Sequence, residues 1–190
     1  MPTRLCKLRE LAEVRSGYTF REALEHDPEG DVRVLQIKDL RQRAAIEPDS
    51  LIAVNWETNK SPPLLTIGDI AVVARGDSNT AALYKGGNQI VATSQFFIVS
   101  AKTTEVLPEY LCWMINLSQS QRSLERSGSS IQAISKASLM DMIIPLPSPE
   151  TQTRLTQLQR LWDKEDQLIA ELHTNREQML QGIYQKLIKE

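Results

Sequence analysis

The carboxyl-terminal residues 149–190 are the feature that most constrains how this chain can fold. No proline follows Pro149, and Gly182 is the only glycine beyond it. Ser148 is a favourable N-cap, Pro149 suits the first helical position, and Glu150 complements the positive end of a helix. Apolar residues recur at steps of three and four along the segment. The pattern therefore predicts one amphipathic helix, roughly 60 Å long at about 1.5 Å per residue.

This apolar stripe is too long to lie wholly on a domain built from the preceding residues. It therefore needs a partner helix, most simply one from a second copy of the chain. The residues expected in the dimer seam are Leu155, Leu158, Trp162, Ile169, Leu172, Met179, Ile183 and Leu187. In a strict heptad repeat Glu165, Arg176 and Lys186 would also fall on the seam. We therefore expect a short, irregular coiled coil.

The rest of the chain shows the pattern of a mixed α+β domain. Short apolar runs predict strands over 32–37, 51–54, 70–74, 81–84, 90–93, 96–99 and 142–144. The run at 70–74 is apolar throughout and predicts a central strand, and residues 85–89 predict a hairpin-type connection. Helices are predicted over 5–14, over 108–126 and from a Ser135 cap to residue 140. We expect a domain over 1–147 and the long helix over 148–190.

The charge of the chain limits its possible partners. The formal net charge is −2 and the isoelectric point is about 5.8. Residues 1–148 and 149–190 each carry a net charge of −1. A free-standing nucleic-acid binder is usually basic on its contact face. Any DNA binding must therefore use local clusters, or belong to a complex whose other subunits supply phosphate contacts.

Several classes of protein are disfavoured by the sequence. No apolar run is long enough for a membrane span, and residues 1–10 lack the apolar core of a secretory signal. Cys6 and Cys112 match no metal or redox spacing, which favours reduced thiols in a cytoplasmic protein. No phosphate-binding loop, dinucleotide glycine pattern or metal-ligand spacing is present, so we expect no bound cofactor and no metal. Asp39 and Asp69 could form a catalytic carboxylate pair, but both lie beside turns, where aspartate is favoured for backbone reasons.

Several polar loops combine Arg or Lys with Ser, Asn, Gln or Tyr. Such side chains hold phosphates and read base edges, with arginine bonding guanine and asparagine or glutamine bonding adenine. The residues selected on composition are Arg41, Arg43, Arg75, Ser78, Asn79, Lys85, Asn88 and Gln89. Surface loops are polar in most proteins, so a purely solvated role remains the alternative for each of them.

A series of motifs extends over nearly the whole chain. It begins with LRELAEVRSGYTF at 8–20 and includes GSSIQAISK at 128–136, with further matches at 34–40, 68–76, 81–84, 107–111, 139, 143–147, 150 and 152. In this order, ending in a long helix, the motifs resemble a target-recognition domain of the DNA specificity (S) subunits of type I restriction–modification enzymes.

The resemblance implies a subunit without catalytic activity of its own. Such a subunit binds a specific double-stranded DNA sequence and docks modification subunits, which methylate adenine with S-adenosylmethionine. Motor-nuclease subunits join in some assemblies, and S-adenosylmethionine and ATP would bind these partner subunits. The matching turns imply further residues close to DNA, which are Gly17, Tyr18, Thr19, Ser129, Ser130 and Gln132.

The chain departs from the usual members of that family in its length. They contain two recognition domains and two long helices that pack antiparallel, whereas this chain has one of each. We therefore expect two copies to pair antiparallel through residues 149–190 and to read a bipartite, interrupted palindrome. One alternative is that the sequence is a fragment of a longer subunit, and another is that the chain pairs with a different half-subunit. A coiled-coil adaptor without DNA specificity is a third.

Overall fold

A computed structural model describes residues 3–40, 45–56, 60–75, 79–124, 126–127 and 133–189. Within these residues the strands are β1 (Arg4–Lys7), β2 (Ala12–Ser16), β3 (Val32–Leu35), β4 (Ile52–Val54), β5 (Ile70–Val73), β6 (Ala81–Leu83), β7 (Ile90–Ala92), β8 (Phe96–Ala101), β9 (Arg126–Ser127), β10 (Ala133–Ile134) and β11 (Ile143–Leu146). The helices are α1 (Leu8–Leu11), α2 (Ile37–Leu40), α3 (Pro108–Asn116), α4 (Ser118–Arg122), α5 (Lys136–Met140) and α6 (Pro149–Lys189). The fold is mixed α/β with short strands and a long C-terminal helix, as the sequence predicts.

The chain divides into two compact units, Met1–Gln152 and Thr153–Glu190. In the first unit, β2, β8, β5 and β6 form an antiparallel sheet in that order. A second sheet has the order β4-β3-β7, in which β3 runs antiparallel to β4 and parallel to β7. Two ribbons, β1–β11 and β9–β10, complete the strand pairing among the described residues.

The core lies around β5, whose four residues are all buried. β5 pairs with β8 on one side and β6 on the other, which confirms the central strand predicted from its continuous apolar run. A cluster of buried side chains joins this sheet to the β3–β7 strands and includes Leu35, Val73, Ile90, Phe96 and Ile98. The two sheets therefore share one hydrophobic core.

The predicted helix over 5–14 is confirmed only for Leu8–Leu11 and is wrong for the residues on either side. The segment forms β1, the four-residue helix α1 and β2, because β1 pairs with β11 and β2 pairs with β8. Leu8 and Leu11 are buried as expected. Long-range strand pairing therefore limits the helix to the single turn that contains these two leucines.

The predicted hairpin across residues 85–89 is also wrong. β6 pairs with β5, whereas β7 pairs in parallel with β3, so the two strands belong to different sheets. Gly86 and Gly87 have φ values of 103° and 119°, which side chains other than glycine rarely adopt. These residues redirect the chain from one sheet to the other.

The predicted helix over 108–126 is interrupted after Asn116. Leu117 has an extended backbone, with φ of −61° and ψ of 137°, and separates α3 from α4. The side chain of Asn116 makes two bonds to strand β6. Its Oδ1 accepts from the backbone N–H of Ala81 at 2.8 Å, and its Nδ2 donates to the carbonyl of the same residue at 2.8 Å. These bonds hold the carboxyl end of α3 beside the edge of the sheet.

The start of α6 is fixed by side-chain hydrogen bonds. Ser148 caps the helix, with its Oγ accepting from the backbone N–H of Thr151 at 3.3 Å. Gln152 is completely buried and donates through Nε2 to the carbonyls of Glu105, at 2.7 Å, and Pro147, at 2.9 Å. Its Oε1 accepts from the backbone N–H of Leu107 at 2.9 Å. The first turn of the helix is thus part of the folded domain.

The second unit is the remainder of α6, and it leaves most of its apolar stripe exposed. Of the eight predicted seam residues, Leu155 is half-buried and the other seven are exposed: Leu158, Trp162, Ile169, Leu172, Met179, Ile183 and Leu187. None of the helices in the described part of the chain is long and apolar enough to cross a membrane.

Candidate nucleic-acid interface

Gly17 marks a close crossing between the two sheets. After β2 leaves its pairing with β8, the N–H of Gly17 donates to the carbonyl of Phe96 at 2.9 Å. The N–H of Tyr18 then donates to the carbonyl of Ala92 at 2.8 Å, and Tyr18 forms a parallel bridge with Thr93. A Cβ atom at position 17 would overlap the carbonyl of Thr93, so only glycine fits here. We predicted Gly17 as a DNA-proximal residue, but the crossing gives it a structural role.

Three aromatic side chains meet immediately beyond this crossing. The ring centroids of Tyr18 lie 4.9 Å from Phe20 and 4.8 Å from Trp56. All three side chains are half-buried. The indole N–H of Trp56 donates to the carbonyl of Lys60 at 2.6 Å, which fixes the orientation of this ring. The cluster therefore gives the segment after Gly17 a defined path over the sheet.

A cleft of about 550 Å³ opens beside this aromatic cluster. It lies at the carboxyl ends of β3 and β7, the same end as the Tyr18–Thr93 bridge. The residues that line it are Tyr18, Phe20, Glu22, Leu24, His26, Gln36, Lys38, Ile52, Arg75, Thr93, Ser94 and Gln95. The set contains two cations, two amides and two hydroxyl side chains besides the tyrosine, and these are the groups that bond phosphates and base edges. We call this feature the recognition cleft.

Arg75 reaches the recognition cleft from the segment directly after β5. The N–H of Ala74 donates to the carbonyl of Gln95 at 2.8 Å, which holds the two loops together. Arg75 forms an antiparallel bridge with Ala133, and its side chain is exposed. Of the residues predicted from sequence, the structure brings Tyr18 and Arg75 together at this cleft. Thr19 is exposed next to Tyr18.

A second group of predicted residues lies at the opposite end of β7. Lys85 and Gln89 are exposed, and Asn88 is half-buried. The side-chain amide of Asn88 donates to Asp49 Oδ1 at 3.0 Å, and the backbone carbonyl of Asn88 accepts from the hydroxyl of Tyr84 at 2.7 Å. Burial raises the pKa of Tyr84, so its hydroxyl keeps the proton that it donates. This loop has a fixed shape and is separate from the recognition cleft.

Asn79 does not belong to either exposed group. Its side chain is only 2% exposed, and its Nδ2 donates to the carbonyl of Val73 at 2.9 Å. The carbonyl of Asn79 accepts from the side chain of Gln121 at 3.1 Å. We therefore remove Asn79 from the predicted DNA contacts, because its amide group is buried and bonded to the last residue of β5. Six predicted residues lie outside the described residues: Arg41, Arg43, Ser78, Ser129, Ser130 and Gln132.

The sequence singled out only Tyr18 and Arg75 among the cleft residues, so polar lining residues such as Gln36, Lys38, Ser94 and Gln95 were missed. Ser94 and Gln95 form a polar turn between the buried strands β7 and β8. A polar pair between two apolar strands indicates an exposed turn, so the sequence did contain a signal for these two residues. What could not be read locally was the parallel pairing of β3 with β7, which places Gln36 beside this turn.

The two aspartates considered as a catalytic pair both have local structural partners. Asp69 is buried and accepts from Ser100 Oγ at 2.6 Å, from the N–H of Thr66 at 2.9 Å and from Arg15 Nη2 at 3.3 Å. Asp39 accepts from the N–H of Gln36 at 2.8 Å. Among the residues that the structure describes, no group of three or more His, Cys, Asp or Glu side chains could hold a metal ion.

The sequence of almost the whole chain identifies its family. The chain belongs to the family of type I restriction modification DNA specificity domains, whose profile matches residues 4–180. A comparison with curated proteins gave no match.

Three solved structures share the fold. The S subunit of a type I restriction–modification system from M. genitalium has 14% sequence identity and a TM-score of 0.59, with 90% of this chain and 42% of that chain covered. A chain from a structure on complex assembly and conformational transition of the type I R-M system has 16% identity and a TM-score of 0.66, covering 90% and 40%. The HsdS subunit from Thermoanaerobacter tengcongensis has 13% identity and a TM-score of 0.62, covering 87% and 38%.

The matched region thus spans about two fifths of the length of each of these structures.

Proposed function

We propose that this chain is the sequence-specific DNA recognition subunit of a type I restriction–modification complex. In this role it has no catalytic activity and directs adenine methyltransferase subunits, and nuclease subunits where present, to a DNA target. S-adenosylmethionine and ATP would bind those partner subunits. We also propose a cytoplasmic location, because the substrate of the complex is cellular or incoming DNA.

The observation that carries this proposal is the recognition cleft in a chain of the specificity-domain family. Arg75 offers a bidentate donor for guanine, and Gln36 and Gln95 offer the amide pattern that bonds adenine. Lys38 adds a positive charge suited to phosphate. The cleft is rigidly framed, because backbone hydrogen bonds of Gly17, Tyr18 and Ala74 hold its walls.

The weakly acidic chain fits this role when it works inside a complex. Sequence-independent affinity for DNA comes from phosphate neutralisation, and the modification subunits can supply it. The chain needs to contribute only the side chains that distinguish one sequence from another. Residues 85–89 form a second candidate contact, with Lys85 as a phosphate ligand.

The second part of the proposal is an antiparallel homodimer through α6. The exposed apolar residues from Leu158 to Leu187 support it, because a stripe of this length is stabilised by a partner helix. A two-fold dimer presents two identical recognition domains, so the expected target is an interrupted palindrome.

A genome-wide map of adenine methylation tests the function. Cells that carry this gene and a modification-subunit gene of the same system are compared with cells that lack this gene alone. We expect one interrupted palindromic motif to be methylated only when the protein is present. A bipartite motif without two-fold symmetry would keep the function and replace the homodimer with a pair of different half-subunits. Identical maps, with a modification subunit shown to be active, would favour an adaptor without DNA specificity.

Variants at the two ends of β7 distinguish the two candidate contacts. Arg75→Ala is expected to weaken target binding by the assembled complex by roughly tenfold to hundredfold and to relax the methylated motif, because a base contact is lost. Lys85→Ala is expected to weaken binding evenly across sequences and to lower the slope of log affinity against log salt by about one. Binding isotherms at several salt concentrations and methylation maps measure both effects. An unchanged motif with Arg75→Ala would remove the recognition cleft from the proposal.

A further inference from the structure

The polar interruptions of the α6 stripe carry information about how two copies pair. The seam alternates between two heptad positions. The first contains Leu155, Trp162, Ile169, Arg176 and Ile183, and the second contains Leu158, Glu165, Leu172, Met179 and Lys186. The heptads of an antiparallel pair run in opposite directions, so a residue of the first set faces one of the second set in the other chain. Each layer of the dimer therefore pairs one residue of the first set with one residue of the second set from the other chain.

We infer that two copies pair in one antiparallel register, with the two-fold axis between Ala170 and Glu171 and with Glu165 of each copy facing Arg176 of the other. This inference rests on the proposed homodimer and specifies its interface. In this register the apolar seam residues also face each other, as the pairs Leu158–Ile183, Trp162–Met179 and Ile169–Leu172, each formed twice.

Neighbouring registers lose this complementarity. A shift of one heptad in one direction places Glu165 against Ile169 and Arg176 against Leu158. A shift in the other direction places Glu165 against Ile183 and Arg176 against Leu172. Each shifted register therefore carries four layers in which Glu165 or Arg176 faces an apolar side chain. Burial of an unpaired charge is strongly unfavourable, so both shifts are destabilised relative to the paired register.

A parallel dimer is disfavoured by the same two residues. In a parallel pair with no stagger, Glu165 would face Glu165 and Arg176 would face Arg176 of the other copy. Like charges in a helix seam repel, and a polar seam residue is a known means of fixing the register and orientation of a coiled coil. Glu165 and Arg176 are both exposed in the single chain, and neither has an ion-pair partner among the described residues. Both charges are therefore available to a second copy.

The last polar seam residue also fits this register. Lys186 faces Leu155 of the other copy, at the outer end of the paired segment. A lysine can lay its aliphatic stem along an apolar neighbour while its ammonium group stays in water. The three polar residues that make the seam irregular are thus compatible with one arrangement.

Disulfide trapping in the full-length protein tests the register. Leu158→Cys combined with Ile183→Cys reports the inferred register, because these positions face each other between copies. Within one chain they lie roughly 37 Å apart along the helix, too far for a disulfide. Trp162→Cys with Leu172→Cys reports one shifted register, and Ile169→Cys with Met179→Cys reports the other. The native thiols of Cys6 and Cys112 are buried, and burial raises the pKa of Cys112 to about 12, so they compete little.

We expect rapid formation of a covalent species of twice the 21.5 kDa chain mass with the first pair only. Faster trapping with either control pair would overturn the register. Trapping of Leu158→Cys alone would indicate parallel pairing. A chain that is monomeric at all concentrations by analytical ultracentrifugation would overturn the inference and the proposed homodimer together. Because the assay contains no DNA, loss of DNA specificity would leave its result unchanged.

Charge reversal provides an independent measurement. Glu165→Arg alone or Arg176→Glu alone places like charges in two symmetric layers, and each is expected to raise the dimer dissociation constant by roughly 100-fold. The double variant Glu165→Arg/Arg176→Glu restores opposite charges and is expected to return within about threefold of the parent. Independent effects of the two substitutions would contradict the inferred contact.

Discussion

Replacement of Gly17 by alanine is expected to lower the free energy of unfolding of the domain by about 3 kcal/mol or more. The added Cβ would overlap the carbonyl oxygen of Thr93 and lie 2.6 Å from that of Ala92. Both atoms belong to backbone at the end of β7, so the crossing would have to open for the methyl group to fit. Urea denaturation followed by tryptophan fluorescence measures the loss.

Gly182→Ala is the matched control for this substitution. A Cβ at Gly182 meets no atom within 4 Å, and the residue lies inside α6. Alanine is favoured over glycine in a helix by roughly 0.5–1 kcal/mol, so this variant should retain or gain helicity by circular dichroism. Equal stability of the Gly17→Ala variant and the parent would contradict the close crossing. At temperatures where Gly17→Ala stays folded, we expect weaker DNA recognition, because the crossing positions Tyr18.

Replacement of Asp69 by alanine is expected to destabilise the domain by about 3 kcal/mol. The carboxylate is buried and accepts three hydrogen bonds, from Ser100, Thr66 and Arg15. Its removal leaves these donors without their acceptor. Arg15 also donates to the carbonyl of Leu64 at 2.9 Å, so its guanidinium would stay in place beside an empty site. Thermal and urea denaturation measure the effect.

Asp141→Ala serves as the control for Asp69→Ala. Asp141 forms exposed ion pairs with Lys7 at 2.9 Å and Arg9 at 2.8 Å. The hydrogen bond from Lys7 lowers the pKa of Asp141, so these pairs persist at neutral pH and weaken as the pH falls through that lowered value. Exposed ion pairs contribute little to stability, and the loss should be much smaller than for Asp69. Similar losses for both variants would show that the buried network is not a main support of the domain.

The parts of the fold that the sequence predicted correctly are those with strong local signals. Five apolar residues in succession predicted β5, Ser135 predicted the start of α5, and Ser148 with the stripe beyond it predicted α6. The incorrect predictions concern pairing between distant segments. Nothing within residues 85–89 indicates that β7 joins β3 in parallel. The spacing of Leu8 and Leu11 suits a helix, but the helix is confined to that turn because β1 and β2 pair with distant strands.

Sequence composition selected only some of the residues that line the recognition cleft, and their contact with DNA stays a prediction. Tyr18 and Arg75 carry side chains typical of DNA contacts, and both line the cleft. Asn79 has an equally suitable side chain, but burial gives it a structural role that composition cannot reveal. Ser94 and Gln95 can be recognised from the sequence as a polar turn, but not as part of a cleft. Their place in the cleft depends on the crossing at Gly17, which becomes visible only in three dimensions.

The contact between Asn116 and β6 also bears on how the protein avoids aggregation. β6 is an edge strand, and an unpaired edge offers free peptide groups to the edge strand of another molecule. The carboxamide of Asn116 imitates a neighbouring peptide group, since it occupies both the N–H and the carbonyl of Ala81. This blocks strand addition at that residue. Sheet-to-sheet association is therefore suppressed at the β6 edge, while the exposed face of α6 remains open to a second copy.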